Sequence, residues 1–330
     1  MTIDVSARDG LVIGVDVGGT KIAAGLVDQH GQITSQTRAP MASTSTAAAG
    51  LASVILAIDE LFANDPKTKS LIRGIGICAP GPLDPTSGVI INPPNVPCWR
   101  DFPLAEEVSQ NYEVPVRVDN DANAAALAET RWGAGSGYRN LFYATIGTGI
   151  GTGIVFDGHI HHGRTGAAGE GGHMSIDYRG PRCNCGKLGC IEVLASGPAI
   201  ARRARAKLAA EPARGSAMFG LAKGAIATVT SEMVGQAYVA GDAMAHEILL
   251  ETIDLVSLWL GNIVDLLEPD AIIIGGGVAS MLSPLFDTIR QRLPNYCINS
   301  RCREIPLLKA RYGADAGVAG GAALCWVQTG

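Results

Sequence analysis

The chain has 330 residues, of which 47% are hydrophobic and 17% charged, and its formal net charge is −5. This length suggests about two domains, and the apolar content excludes a disordered protein. The acidic balance argues against bulk binding to nucleic acid or to an anionic membrane surface, so neither is expected as a partner.

The chain shows no pattern of a membrane-spanning or secreted protein. Its most apolar stretch, residues 271–286, contains three glycines and is shorter than the ~20 residues of a spanning helix. Residues 1–10 lack the long apolar run of a signal peptide. Of the eight cysteines, three cluster at 183–190 and the others are scattered, which favours reduced thiols with one local metal site. We therefore expect a cytoplasmic protein.

The first part of the chain alternates strands and helices. Apolar runs and helical spacing predict, in order, strands at 11–17, 22–27 and 33–39, a helix at 46–64, a strand at 72–78, a proline-rich loop at 80–99, a helix at about 103–111, a strand at 114–118 and a helix at 119–132. Strands linked by crossover helices indicate an α/β layer.

The rest of the chain repeats this plan. The patterns predict strands at 141–146 and 150–156, a loop-rich segment at 157–192, helices at 197–208, 228–240 and 242–267, a strand at 271–274, a helix from 278, a strand at 307–310 and a last helix at 315–327. A strand, a Gly/Thr turn and a second strand occur at 11–27 and again at 141–156, which predicts two similar halves that clamp a nucleotide. We expect a small domain at 1–118, completed by the C-terminal helix at about 315–330, and a large domain at 119–314.

Three glycine-rich turns are typical of backbone that approaches phosphate. In Asp16-Val-Gly-Gly-Thr-Lys21 the turn offers amide donors and Asp16 is placed to hold Mg²⁺ through water; the alternative is an ordinary hairpin turn. The run at 146–153 is followed by a strand, which favours a phosphate-facing hairpin over a Rossmann turn, with a purely structural turn as the alternative. At 275–277 a strand runs into a helix N-terminus, which suits a phosphate or an adenosine face.

Two further clusters carry polar chemistry. In Val118-Asp-Asn-Asp-Ala-Asn123, one carboxylate is a plausible general base for a hydroxyl, although Asp121 could instead be a helix N-cap. His173 with Cys183, Cys185 and Cys190 has the composition of a structural zinc site, and a disulfide is the alternative. Glu170 and Glu192 flank this set, so zinc would orient His173 toward a polyol. The histidines at 159, 161 and 162 are interpreted as a solvated loop.

In this order, these features resemble the ROK family of sugar kinases and sugar-responsive repressors, from about residue 11 to 325. The most specific part is Glu-x-Gly-His followed by C-x-C-G-x-x-G-C-x-E, and the only notable departures are Gly171 and Leu188 within it. The resemblance implies an α/β, actin-like (ribonuclease H-like) two-domain ATPase fold with an active-site cleft between the domains.

The resemblance also implies residue roles. The residues that correspond to the donor site are Asp16, Gly18, Gly19, Thr20, Lys21, Thr148, Gly149, Gly151, Thr152, Gly275, Gly276 and Gly277. Those that correspond to the sugar site are Gly81, Asn95, Asn120, Asp121, Glu170, His173 and Glu192, with Asp121 as catalytic base. Those that correspond to the structural zinc ligands are His173, Cys183, Cys185 and Cys190, in a loop at 173–190.

We therefore expect ATP- and Mg²⁺-dependent phosphorylation of a hexose at its 6-hydroxyl. The segment 93–99 resembles the Pro-Asn-x-x-x-Trp loop of family members that act on glucose, so glucose is the expected substrate. The alternatives are an N-acetylmannosamine or N-acetylglucosamine kinase, a fructokinase, or a non-catalytic sugar-sensing protein. About ten residues precede the first strand, too few for the DNA-binding module of the repressors. Polyphosphate as donor stays open, and the family usually forms dimers or tetramers.

Overall fold

A computed structural model describes residues 10–326 of the chain. The prediction that the N-terminal segment is not a signal peptide concerns residues 1–9, which lie outside this range. The predicted end of the last helix, at residue 327, also lies outside it. The described residues form β-strands and α-helices in alternation, joined by short 3₁₀ turns.

The strands of the described chain are β1 Leu11–Val17, β2 Lys21–Val27, β3 Ile33–Pro40, β4 Ile72–Ala79, β5 Leu83–Asp84, β6 Val89–Ile90, β7 Val116–Asn120, β8 Leu141–Ile146, β9 Ile150–Phe156, β10 His159–Ile160, β11 Ala271–Gly275 and β12 Leu307–Lys309. The predicted long strands are all present. The predicted irregular loop at 80–99 differs, because β5 and β6 pair as a small antiparallel hairpin within it.

The helices are α1 Ala47–Asn64, α2 Leu104–Ser109, α3 Asp121–Arg131, α4 Ile191–Ala195, α5 Gly197–Ala210, α6 Ser216–Leu221, α7 Ser231–Val239, α8 Ala243–Leu267, α9 Gly277–Leu282, α10 Phe286–Arg292 and α11 Ala316–Cys325. The short helices α4, α6 and α10 were not predicted. The predicted start of α3 at residue 119 was two residues early, because β7 continues through Asn120.

The two five-stranded sheets have the same plan. Their strand orders are β3-β2-β1-β4-β7 and β10-β9-β8-β11-β12. In each sheet the first strand of the long hairpin is the central strand, and the two strands that come later in the chain lie on its other side. In the first sheet β1, β2 and β3 are antiparallel neighbours, whereas β1–β4 and β4–β7 are parallel. The structural repeat inferred from the sequence is therefore present in the strand order.

Contacts divide the chain into two compact units. The first unit comprises the described residues of Met1–Leu141, Gly153–Gly169 and Arg311–Gly330, and the second comprises Phe142–Thr152 and Glu170–Ala310. Both α3 and the C-terminal helix α11 thus belong to the first unit. The domain boundary predicted after residue 118 is a different division and stays a prediction.

In the first unit, helices cover both faces of the sheet. Apolar side chains of α1, including Val54, Ile58 and Leu61, are buried against one face, and α3 and α11 pack on the other. Glycines let α11 approach closely, because a methyl group built on Gly14 or Gly76 would collide with carbonyl oxygens of that helix. This close packing fixes the strand ends that carry the candidate site.

Helix α1 is a second apolar stretch long enough to be compared with a membrane-spanning segment. It has 18 residues and a mean hydropathy of 1.5, so by length and composition alone it could cross a membrane, unlike residues 271–286. A core helix meets the same criterion, and one side of α1 is buried in the first unit. The absence of a membrane partner therefore stays a prediction.

Candidate active site and metal centre

The first glycine turn closes the β1–β2 hairpin in the first unit. The amide of Gly18 donates to the carbonyl of Lys21 at 2.9 Å, which leaves Gly19 and Thr20 at the tip. A methyl group on Gly19 would lie 2.8 Å from the carbonyl oxygen of Asn95, so the turn packs against that segment and has no room for a side chain. Gly19, which is predicted to bind the phosphate donor, is thus a neighbour of Asn95, which is predicted to bind the sugar.

Asp16 stands near the end of β1, immediately before this turn, in a largely enclosed position. The N-terminal end of α11 lies against it, since a methyl group on Gly317 would collide with its carboxyl group. Burial raises the pKa of Asp16, the negative charge of Asp121 raises it further, and Lys21 opposes both effects. Asp16 and Asp121 therefore form a pair of interacting carboxylates, a setting in which a bound cation would relieve their repulsion.

Asn120 and Asp121 lie where β7 passes into α3. Asn120 is the helix N-cap, and its Oδ1 accepts from the amide of Ala122 at 2.9 Å. Asp121 is the first helical residue and is exposed, with Oδ1 2.8 Å from the same amide. The alternative that Asp121 is itself the N-cap was wrong. Gly81 is close by, because a methyl group on it would lie 3.6 Å from Nδ2 of Asn120.

Asp119 is a polar residue of this cluster to which the sequence analysis gave no role. Its side chain is buried, and Oδ2 lies 2.6 Å from Nε2 of His162. His162 was interpreted as part of a solvated loop, and this contact corrects that view. The hydrogen bond from the imidazole to Asp119 raises the pKa of His162 above its ordinary value. The residues are 43 positions apart, so no local pattern pairs them.

The second glycine turn, between β8 and β9, is anchored in the second unit by Glu192. The amide of Ile150 donates to Oε2 of Glu192 at 3.0 Å. A methyl group on Gly149 would lie 2.7 Å from the same oxygen. A predicted sugar ligand and a predicted donor-loop residue are therefore in contact, a coupling that the motifs did not reveal. Gly151 lies in β9, immediately after this contact.

Thr152 has a different environment from the one predicted. It is 4% exposed, and its hydroxyl accepts a hydrogen bond of 2.8 Å from the amide of Gly171. The carbonyl of Gly171 in turn accepts from Nε1 of Trp259 at 3.1 Å. These bonds hold the turn that carries Glu170 and His173. They also explain the glycine at 171, because a methyl group there would lie 2.8 Å from the Thr152 hydroxyl.

The predicted metal ligands converge in the second unit. The ligand atoms of His173, Cys183, Cys185 and Cys190 all lie within 4.8 Å of one another, and the cysteines are free thiols. Nδ1 of His173 is 3.5 Å from Sγ of Cys183, and Sγ of Cys185 is 3.6 Å from Sγ of Cys190. Sulfur ligands ~2.3 Å from a tetrahedral zinc are about 3.8 Å apart. The donor set and its spacing therefore fit zinc.

The third glycine turn borders a cavity of about 510 Å³ in the second unit. Thr148 of the second turn and Gly277 of the third both line it, and the N-terminus of α5 contributes Gly197. Gly276 has a φ of +91°, and a side chain there would collide with the carbonyl of Ile146. An adjoining cavity of about 370 Å³ shares Gly277. Both cavities have the volume of a small-molecule pocket, and together they suit a nucleoside.

Several residues of this cavity were missed by the motif analysis. Arg205 on α5 and the start of α7, with Thr230, Ser231 and Glu232, complete its lining. Their sequence carries no glycine-rich signal, and only the packing of α5, α7 and α9 brings them to the two turns. They are the candidates for contacts with a base or ribose.

The structure brings the predicted residues together within each unit. In the first unit these are Asp16, Gly18, Gly19, Thr20, Lys21, Gly81, Asn95, Asn120 and Asp121. In the second they form the metal cluster with Glu192, and the cavity lined by Thr148 and Gly277. Their chemical roles are predictions.

Comparison with known sequences and with solved structures finds similarity to one protein family. The sequence model of the ROK family matches residues 12–328. A glucokinase of Halalkalibacterium halodurans is 37% identical over 314 residues, which cover 94% of this chain and 93% of that relative. The crystal structure of a ROK family glucokinase from Streptomyces griseus in complex with glucose and AMPPNP has 35% identity and a TM-score of 0.80, and covers 96% of this chain and 99% of that one. A ROK family transcriptional regulator, a homologue of the Escherichia coli MLC protein, has 26% identity and a TM-score of 0.85, and the match covers 96% of this chain and 78% of the regulator.

Proposed function

The chain belongs to the ROK family and has its actin-like α/β fold, and from that premise we propose that it transfers phosphate from ATP to the 6-hydroxyl of a hexose, converting glucose to glucose 6-phosphate. Near full-length likeness to glucokinases, one of them solved with glucose and AMPPNP, supports hexose kinase activity. The observation in the chain that carries the proposal is the pair of interacting carboxylates, Asp16 near the end of β1 and Asp121 directly after β7, two strands that flank β4.

Asp121 is proposed as the general base. It accepts the proton of the 6-hydroxyl as that oxygen attacks the γ-phosphorus, and the bond from phosphorus to the leaving oxygen of ADP breaks. Two features support this role. The carboxylate is exposed at the first residue of α3, and the helix N-cap is the neighbouring Asn120 rather than Asp121.

The proposed sugar ligands are Gly81, Asn95, Asn120, Glu170, His173 and Glu192. Carboxylates, amides and an imidazole can accept from and donate to several hydroxyls at once, as a polyol requires. His173 turns Nδ1 toward Cys183, which leaves Nε2 as the nitrogen that would meet a hydroxyl. Glu192 is already oriented by the amide of Ile150.

The proposed donor residues are those of the three glycine turns, and the cavity bordered by Thr148 and Gly277 is the proposed adenosine site. Thr152 is retained as a predicted donor residue, although its buried hydroxyl supports the Gly171 turn in the structure. Asp16 would hold Mg²⁺ through water; when bound, the ion neutralises charge on the phosphate oxygens. Lys21 supplies a further positive charge beside Asp16.

We further propose a structural zinc at His173, Cys183, Cys185 and Cys190. All four positions are filled by protein ligands, so the metal would leave no open coordination site for chemistry. Its role would be to fix the direction of the His173 ring.

Cellular context and assembly are also proposals. Eight free cysteines favour a reducing cytoplasm. A place in glucose breakdown would follow from the proposed phosphorylation of glucose. By family resemblance the chain would act as a homodimer or homotetramer with sugar and ATP as its small-molecule partners, without nucleic acid or membrane. The division into domains at 1–118 with the C-terminal helix, and at 119–314, is proposed on the same ground.

The runner-up substrates are N-acetylmannosamine and N-acetylglucosamine, followed by fructose. A sugar-sensing role is the second function, favoured by the likeness to a ROK family transcriptional regulator. One experiment separates them: ADP release from purified protein with glucose, mannose, fructose, N-acetylglucosamine and N-acetylmannosamine, with ATP or polyphosphate as donor. We expect the highest kcat/KM with glucose and ATP, and product that a 6-phosphate-specific dehydrogenase oxidises.

Binding without turnover on every sugar would favour the sensing role. A higher kcat/KM on an N-acetylhexosamine would make that sugar, rather than glucose, the substrate of the proposed kinase. Phosphorylation that requires polyphosphate would make polyphosphate, rather than ATP, the donor.

A further inference from the structure

Asp119 is a buried carboxylate directly before the two residues proposed to act on the sugar. It is 3% exposed, and an ionised group at such depth is costly unless hydrogen bonds and an opposite charge compensate it. The proposed reaction makes no use of it. Its surroundings therefore need an explanation of their own.

The carboxylate of Asp119 contacts the chain on both sides of Asp121. Oδ1 accepts from the backbone amide of Asn120 at 2.7 Å and from Nδ2 of Asn123 at 3.1 Å. Asn120 precedes Asp121, and Asn123 follows it in the first turn of α3. A single oxygen thus ties the end of β7 to the start of α3.

The other oxygen is held by His162. Nε2 of the imidazole lies 2.6 Å from Oδ2, and the pKa of His162 is raised chiefly by this hydrogen bond, so the ring is a cationic donor over a wider pH range. His162 comes from the segment after β10, within the same unit. The ring is 35% exposed and borders a cavity of about 680 Å³, so packing does not enclose it and the bond to Asp119 is its polar anchor.

We propose that Asp119 and His162 form a positioning pair that fixes the backbone at Asn120 and thereby the location of the Asp121 carboxylate. His162 holds Oδ2 and supplies the compensating charge, which keeps Oδ1 directed at Asn120 and Asn123. When His162 is removed, the buried carboxylate turns toward water in the cavity and the strand end loosens. The inference rests on the proposed role of Asp121 as base.

The test compares three variants at exposed or half-exposed positions, where folding is expected to survive. His162→Leu removes the donor, whereas His162→Gln keeps an amide N–H that reaches Asp119. His161→Leu is the matched control, because the neighbouring His161 is exposed and its ring packs on Phe156 instead. For each, kcat and both KM values are measured, with hydrogen exchange of the peptide that contains Asn120.

We expect His162→Leu to lower kcat about tenfold or more, since displacement of a catalytic group by ~1 Å can cost up to 10²-fold. The KM for ATP should change less than twofold, by ~0.4 kcal/mol at most. Exchange should accelerate around Asn120. His162→Gln should recover most of the lost kcat and of the protection, and His161→Leu should match the wild type.

Unchanged kcat and unchanged exchange in a folded His162→Leu variant would overturn the inference. So would an equal loss in the leucine and glutamine variants, or a loss that appears equally in both KM values. If the wild type phosphorylates no sugar, the proposed function fails, whereas the exchange measurement still reports whether the pair fixes the strand end.

Discussion

Replacing Gly149 with alanine should weaken sugar binding through Glu192. The added methyl group would lie 2.7 Å from Oε2 of Glu192, which is too close, so the carboxylate must move. That same oxygen accepts from the amide of Ile150 at 3.0 Å. Movement therefore breaks or stretches this bond and shifts a proposed sugar ligand.

The size of the effect follows from the bond at risk. A hydrogen bond to a charged group contributes about 1.5–3 kcal/mol, and each 1.4 kcal/mol is tenfold in affinity. We therefore expect a rise of about 10- to 100-fold in the sugar KM or in its Kd by calorimetry.

The same turn offers a matched control. A methyl group on Gly147 meets no atom within 4 Å, and Gly147 lines the proposed nucleotide cavity instead. Gly147→Ala should leave the sugar Kd within twofold of the wild type. If the two alanine variants bind sugar equally well, Glu192 is not a sugar ligand held by this turn, and the reasoning is refuted.

Two further predictions concern the proposed zinc cluster and the pair formed by Asp119 and His162. Cys185→Ser should lower zinc content and weaken sugar affinity by ~10–100-fold, with little change in ATP affinity. Cys297→Ser lies outside the cluster and should change neither zinc content nor sugar affinity. A zinc-free protein with the wild-type sugar KM would show that His173 is not part of the sugar site. Because Asp119 raises the pKa of His162 above 6.5, the protonated ring stabilises the fold below that pH, and this contribution is lost as the pH rises through the raised pKa. In urea titrations, the difference in unfolding free energy between the wild type and His162→Leu should therefore shrink as the pH rises above 6.5, and a difference that stays constant as the pH rises would contradict the assignment.

Local sequence patterns predicted those parts of the fold whose cause is local. The β1–β2 hairpin was predicted because two apolar runs flank a glycine pair, and the structure places the turn at Gly18 and Gly19. The metal cluster was predicted because its three cysteines lie within eight positions, which limits how they can converge. In both cases the residues lie close together in the sequence, so a local pattern was enough to predict the contact.

The features that were missed depend on tertiary contacts. The strand β7 continues through Asn120 because Asn120 pairs with Ala79 of β4, a contact that the alanine-rich sequence after residue 121 does not reveal. Asp119 and His162 meet across 43 positions, although a cluster of histidines in a chain with a buried acidic strand end is a signal that could have suggested an ion pair. Arg205 reaches the proposed nucleotide cavity only through helix packing.

The central claim is that Asp121 is the base of an ATP-dependent hexose kinase. It is tested most directly by the kcat of Asp121→Asn for glucose, measured together with the glucose Kd of the same variant. Asparagine keeps the shape of the side chain and loses its basicity, and Asn120 still caps α3. The account predicts a fall in kcat of about 10²-fold or more with the glucose Kd nearly unchanged; near-normal turnover by the folded variant would contradict it.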